Sequence, residues 1–145
     1  MAPVSETRVN VLFYGSYMNR DVLAEVDLDP GDLRVVRLNG YDIRISPLAN
    51  LVPSDRHMVY GLLGRATHSE LDRLYRHAEQ VLGGKYLPFP VLAELREDSL
   101  VTALCYIAPS MEAHAADPAY VDRILAPARE FGFPAWYVER IQSYR

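Results

Sequence analysis

Hydrophobic and polar positions along this chain change their spacing several times, and each change marks an element. Val9-Asn10-Val11-Leu12-Phe13-Tyr14 is a short apolar run that stops at Gly15, which predicts a buried strand. Met18 to Val26 predicts a short helix. Leu33–Leu38 and Tyr41–Ser46 flank Asn39-Gly40, a dipeptide suited to the positive φ angles of a type I′ turn, so a hairpin is expected there. In its second arm Tyr41, Ile43 and Ile45 alternate with Asp42 and Arg44, as in a half-buried strand. Pro47 to Arg56 predicts a polar loop, and Val59 to Ala66 another strand. The period then becomes helical. Thr67-His68-Ser69-Glu70 resembles a capping box, and Leu71, Leu74, Tyr75, Ala78 and Leu82 follow on one face until Gly83-Gly84. Tyr86–Leu95 and Leu100–Ile107 predict two strands joined by Arg96-Glu97-Asp98-Ser99, with Pro88 and Pro90 placing part of the first at an edge or bulge. Asp117-Pro118 supplies an N-cap and a first-position proline for a helix whose apolar face is Val121, Ile124, Leu125 and Ala128. Pro127 should kink that helix and Gly132 should end it. A last helix is expected from about Ala135 to Ser143.

Strands come in bunches with helices inserted late, which argues for α+β rather than alternating α/β. Five or six twisted strands around one core suggest a small barrel or a strongly curled sheet. The expected organisation is a flexible N-terminus over residues 1–8 and a single domain over residues 9–145.

Composition narrows the function classes. The chain has 145 residues, enough for a core without staples. Its formal charge is −4, and it has no basic stripe of the kind a nucleic-acid binder needs. It has no run of apolar residues long enough to span a membrane, and its N-terminus has no signal-peptide pattern. Cys105 is the only cysteine, so no internal disulfide can form and a reducing cytoplasm is expected. It lies in the apolar run Ala103–Ile107 and should be an inert buried thiol. His57, His68, His77 and His114 show no ligand spacing, so no metal is expected. Ten tyrosines against four phenylalanines favour an apolar wall with polar tips.

The chemistry concentrates where the first strand ends. Glycine after Tyr14 allows a sharp turn whose successive N–H groups can hold a carboxylate or a developing oxyanion. By itself such a junction is usually only a turn. Ser16 has no evident His/Asp partners for a hydrolase triad.

Tyr14-Gly15-Ser16-Tyr17-Met18 resembles the YGSN-[LM] loop of the γ-glutamylcyclotransferase-like (AIG2-like) family. Further matches follow in the family's order: Val59-Tyr60-Gly61, the Thr67–Gln80 helix, Tyr86, Cys105-Tyr106-Ile107, Pro118-Ala119-Tyr120 and Phe131-Gly132-Phe133-Pro134. The likeness runs from about Val9 to Ile141. It implies a small mixed β-barrel with flanking helices. It also implies release of an amine or amino acid from a γ-glutamyl amide by cyclisation to 5-oxoproline, without a cofactor. The substrate would be a small molecule with a γ-glutamyl-like group, and the chain a monomer or homodimer. In that reaction the substrate's α-amine attacks its own γ-carbonyl, so a carboxylate in a partly desolvated pocket would move the proton. The resemblance assigns that role to Glu79, and substrate binding to Tyr14, Gly15, Ser16, Tyr17, Met18, Tyr86 and Tyr120, with Tyr106 as a further matching tyrosine.

Two registers compete for the glutamate. Counting back from Tyr86 gives Glu79, whereas counting forward from Thr67 or Leu74 gives Ala78. On the helix Ala78 lies near the centre of the apolar face and Glu79 about 80° off it, a flank it shares with Asp72. Gln80 stands where the family has glycine. Tyr17 stands where it has asparagine, which fills more space and carries its hydroxyl farther out. Three readings therefore stand side by side. They are a cyclotransferase, a tailoring enzyme that removes a γ-glutamyl cap, and a non-catalytic relative that binds a small acidic ligand or a partner protein through the same pocket.

Overall fold

The computed structural model describes residues 6–96 and 99–145. Its centre is a closed five-stranded barrel with strand order β1-β3-β2-β4-β5, where β1 is Arg8–Phe13, β2 Arg34–Ile45, β3 Ala49–Thr67, β4 Leu87–Arg96 and β5 Ser99–Ile107. All neighbours are antiparallel except β5 and β1, which close the barrel in parallel at Val11 and Leu104. β2 meets β4 at Arg37 and Glu94. There the Arg37 guanidinium pairs with the Glu94 carboxylate at 2.8 Å and the Asn39 amide donates to the same carboxylate at 2.6 Å. Among the described residues four α-helices flank the barrel: α1 Arg20–Glu25, α2 His68–His77, α3 Pro118–Glu130 and α4 Ala135–Gln142. The barrel and its helices share one buried apolar cluster that includes Leu12, Val36, Ile43, Leu51, Leu62, Leu74, Ile124 and Tyr137.

The expected hairpin at Asn39-Gly40 does not form. Gly40 does take a positive φ, +88°, but within the continuous strand β2, where its pairing with β3 shifts register. Between the pairs Asn39↔Met58 and Tyr41↔Pro53, β2 advances by Gly40 alone while β3 advances by Ser54 to His57. The extra residues therefore belong to β3, and Gly40 faces them from β2. A left-handed glycine suits such an irregularity and a type I′ turn alike, so the dipeptide does not distinguish them. The long strand β3 takes up most of what the polar pattern of Pro47–Arg56 predicts as a loop. The reversal between β2 and β3 occurs instead at Ser46–Leu48, where Ser46–Pro47 is a cis peptide and Ser46 N–H bonds Leu48 C=O at 3.3 Å.

Helix starts follow the sequence signals. Thr67 Oγ1 accepts from Glu70 N–H at 3.1 Å while Glu70 accepts from Thr67 N–H at 2.8 Å, a complete capping box for α2. Asp117 accepts from Ala119 N–H at 2.9 Å and Pro118 opens α3. α3 runs on through Pro127 to Glu130. A proline has no N–H, so the Arg123 carbonyl one turn earlier loses its helical partner. The Asn19 side-chain amide donates to that carbonyl at 3.1 Å. Through its own oxygen Asn19 also caps α1, accepting from Asp21 N–H at 2.9 Å.

β1 begins at Arg8, and Glu6 before it accepts from the Ser69 hydroxyl at 2.7 Å. Met1–Ser5 of the expected flexible segment, and Glu97 and Asp98 of the expected β4–β5 turn, lie outside the described residues. Among the described residues no helix is long and apolar enough to cross a membrane.

Candidate functional site

β1 delivers the chain to Gly15 at one end of the barrel, and Ser16–Met18 then form a single 3-10 turn, closed by Met18 N–H to Gly15 C=O at 3.0 Å. Glycine is required here by proximity. A Cβ on Gly15 would lie 2.7 Å from the Ala49 Cβ, below any ordinary contact, and 3.9 Å from the Tyr120 hydroxyl. The N–H groups of Ser16 and Tyr17 head the turn and receive no carbonyl from within it.

Around this loop the tyrosines form one connected cluster. Tyr14 and Tyr106 stack with ring centroids 4.7 Å apart. Tyr14 donates its hydroxyl to Tyr106 C=O at 2.6 Å, and the Tyr106 hydroxyl accepts from Tyr14 N–H at 3.1 Å. Tyr17 and Tyr86 both meet Tyr106 edge-on, at 5.7 and 5.6 Å. Tyr86 donates its hydroxyl to Ala49 C=O, and Ala49 N–H donates to the Tyr120 hydroxyl at 2.8 Å. The Ser16 side chain is close enough to the Tyr120 phenol to hold its pKa down slightly. Both backbone polar groups of Ala49 are thus satisfied by tyrosines, one from the start of β4 and one from the first turn of α3.

Burial fixes the protonation of this cluster. It pushes the Tyr120 phenol up to about 12 and those of Tyr14, Tyr17, Tyr86 and Tyr106 higher still. The Cys105 thiol beneath them is likewise pushed up to about 12 by burial, which makes it inert near neutral pH. The hydroxyls are therefore hydrogen-bond donors at neutral pH and cannot act as bases.

The structure brings together Tyr14, Gly15, Ser16, Tyr17, Met18, Tyr86 and Tyr120, all expected from the sequence. It does not bring Glu79 to them. α2 ends at His77 and the next residues widen into one π turn, Ala78–Leu82, with Gly84 N–H bonded to Ala78 C=O at 2.8 Å. Ala78 is completely buried, whereas Glu79 is exposed. The helix wheel explains this, because the centre of the apolar face continues through Ala78 and carries Glu79 to the flank. Asp72, on the same flank, is exposed and pairs with Arg76 at 3.2 Å.

Tyr17 lies against the last turn of α2. Its hydroxyl lies 2.9 Å from His77 Nδ1 and 3.4 Å from Leu74 C=O, the carbonyl that also accepts Ala78 N–H. The Tyr17 and His77 rings meet edge-on at 5.8 Å. His77 is not among the site residues that the sequence points to, which offers only its place next to Ala78. Tyr106 is visible as a motif tyrosine, but its role as the hub of the cluster depends on β5 lying beside β1. A cavity of about 340 Å³ adjoins Ala49's neighbours Leu48 and Asn50, with Arg44, Ser46 and Ser110 as polar lining. The Asn50 side chain is closed on Ala108 by two bonds of 3.0 Å.

No family model matches the sequence, and no curated protein matches it. Solved structures do match it over nearly its whole length. A γ-glutamyl cyclotransferase superimposes with a TM-score of 0.77 at 20% identity, covering 94% of this chain and 88% of that one. The chain has the γ-glutamylcyclotransferase-like (AIG2-like) fold. The human protein loc79017 shares that fold with a TM-score of 0.79 at 21% identity, over 95% of this chain and 88% of the other. A yeast γ-glutamyl cyclotransferase specific to glutathione does so with a TM-score of 0.61 at 13% identity, over 96% and 97% of the two chains. The γ-glutamylcyclotransferase-like fold is thus the same α+β barrel with flanking helices that the ordered motifs imply.

Proposed function

We propose that this protein is a non-catalytic relative of the γ-glutamyl cyclotransferases that holds a small acidic, γ-glutamyl-like ligand at the Gly15 loop. The observation that carries this reading is the pairing of a buried Ala78 with Tyr17. The resemblance places a glutamate at one of two adjacent positions. Ala78, the inward one, has no carboxylate, and Glu79, which has one, faces water. The Tyr17 hydroxyl reaches the Leu74 carbonyl that accepts Ala78 N–H, so the larger residue at position 17 stands at the turn that carries Ala78. What remains around the loop, among the described residues, is a set of donors with no carboxylate among them: the hydroxyls of Ser16 and Tyr120 and the leading N–H groups of the turn, the Tyr14 and Tyr86 hydroxyls being spent on backbone carbonyls. Such a set favours a negatively charged group. The test has two parts. γ-Glutamyl amino acids and amines should give no 5-oxoproline, while glutamate or γ-glutamyl amides should raise the thermal midpoint in a way that Ser16→Ala and Tyr120→Phe reduce. Turnover by the unaltered protein would refute the reading.

A second reading rests on the Tyr17–His77 contact. Among the described residues His77 is the one imidazole bonded to the cluster. In a cyclotransferase built this way, His77 would take the α-ammonium proton by way of the Tyr17 hydroxyl and return it to the leaving amine. 5-Oxoproline formation that is lost in His77→Gln and kept in Glu79→Gln would select this reading over the first.

A further inference from the structure

A second region of this molecule has the chemistry of a binding site. A cleft of about 370 Å³ on the outer face of the barrel is lined by Arg8 and Asn10 of β1, Arg34 of β2, Leu63 to Arg65 of β3 and the Pro30–Asp32 loop. Strand register assembles it. Asn10 lies opposite Arg65 and Arg34 opposite Leu63, and residues two apart on a strand share a face. Three guanidiniums therefore line one patch.

Arg8 and Arg65 are clasped together by each other's backbone. Arg8 donates to Arg65 C=O at 3.0 Å and Arg65 donates to Arg8 C=O at 3.2 Å, while Arg8 also reaches Asp29 C=O. Neutral carbonyls thus hold two like charges side by side. A guanidinium has about five N–H donors, so most of each fork stays free. Elsewhere Arg37, Arg76, Arg123, Arg140 and Arg145 each pair with a carboxylate. Among the described residues Arg8, Arg34 and Arg65 do not, and neither do Arg20, Arg44, Arg56, Arg73 and Arg129, so what sets the three apart is their convergence on one cleft. The nearby acids are Asp32, in the lining, Asp29, whose Oδ1 accepts from Gly31 N–H at 3.0 Å, and Glu70, whose Oε2 accepts from Asp29 N–H at 2.8 Å. Arg20, bonded to Gly31 C=O at 2.9 Å, adds a further cation on the loop's other side. The whole chain carries −4, so this local excess of positive charge runs against its overall sign.

The geometry points to this cleft as a binding site for a small phosphomonoester dianion. Among the lining residues alone, three guanidiniums stand against one carboxylate, Asp32, which favours an anion. The planar forks suit phosphate oxygens bidentately. The volume exceeds what a bare phosphate fills. Pro30 and Leu63 offer an apolar wall for the organic part. Asn10, whose amide nitrogen is committed to Thr102 C=O at 3.2 Å, keeps its oxygen free as an acceptor.

The test is calorimetric titration of the full chain at constant ionic strength with inorganic phosphate, glycerol phosphate and AMP, against chloride and sulfate. Expected are saturable binding of the esters, tighter than of phosphate or sulfate, and a loss of at least about tenfold in affinity in Arg34→Gln and in Arg65→Gln. Arg129→Gln, an exposed arginine of α3, should bind as the unaltered protein does. Absence of saturable binding, equal binding in Arg34→Gln, or phosphate binding as tightly as its esters would each overturn the assignment. The Arg34 side chain makes no hydrogen bond within the fold among the described residues, so its variant decides the matter even if Arg65→Gln proves unstable. None of these variants touches the Gly15 loop, so this result and the one at that site are independent.

Discussion

Consider introducing a glutamate at the inward position, Ala78→Glu, with and without Tyr17→Asn. Ala78 is completely buried and the Tyr17 hydroxyl shares the Leu74 carbonyl with its N–H. In Ala78→Glu the extra atoms have no room, at a cost of about 1–3 kcal/mol for overpacking. A buried carboxylate without a cation adds to that through desolvation. Tyr17→Asn alone removes a buried ring, which costs about 3–5 kcal/mol, of which roughly 1 kcal/mol is the bond to His77. In the double variant the introduced carboxylate can enter the space the ring leaves and accept from the asparagine amide. The two changes should therefore couple by about 2 kcal/mol in the favourable direction. Urea denaturation of the four proteins measures the coupling, with an unchanged slope confirming that the same state unfolds. There is also a pH signature. Burial raises the folded-state pKa of the introduced carboxyl, so the folded form keeps its proton where the unfolded chain has lost it. The stability of Ala78→Glu should then fall as pH rises from about 4.3, the unfolded value. Additivity within about 0.5 kcal/mol would show that Tyr17 and Ala78 do not share one space, and the central argument for a non-catalytic site would fail.

Other outcomes follow from single features. Glu79→Gln should change stability by less than about 0.5 kcal/mol and leave ligand binding at the Gly15 loop intact, because the side chain is exposed; loss of binding would contradict its placement. Tyr120→Phe strips Ala49 N–H of its acceptor and should cost about 1–3 kcal/mol in chemical denaturation; a neutral result would mean that the amide finds another partner. Folded-state phenol pKa values raised by burial imply full stability below about pH 10 and a loss above it, each such tyrosine contributing about 1.4 kcal/mol per pH unit until its folded pKa is reached. Urea midpoints that stay level through pH 11 would refute the burial of this cluster. Native Cys105 should resist thiol reagents and react on unfolding, since it is buried and its pKa is pushed up to about 12.

Sequence signals with a local cause were legible. The Thr67–Glu70 capping box, the Asp117-Pro118 start and the β1–Gly15 junction each depend on a few adjacent residues. Signals shared by two structures were not. Gly40 with a positive φ suits a turn or a register shift within a strand, and only the pairing of β3 with both halves of β2 selects the shift. The same limit governs the candidate site. The loop and the tyrosines could be read in order along the chain. The choice between Ala78 and Glu79 depends on the phase of α2 against the barrel, and the helix wheel favoured Ala78 while the spacing to Tyr86 favoured Glu79. The π turn after His77 reconciles them, because its wider winding shifts the register between the helix and Tyr86. His77 entered the site through a contact with Tyr17 that no spacing rule announces.

Pro127 has a consequence for which substitutions this fold can accept. The carbonyl it leaves vacant on Arg123 is the place where Asn19 attaches, and Asn19 directly follows the Ser16–Met18 turn. With alanine at position 127 the helix would reclaim that carbonyl for its own N–H, and the Asn19 amide would have to compete for it. Positions 19 and 127 should therefore be inherited together. Where one changes in a descendant, the other is released to change, and the tie between α3 and the end of the Gly15 turn has to be rebuilt from a different pair of residues.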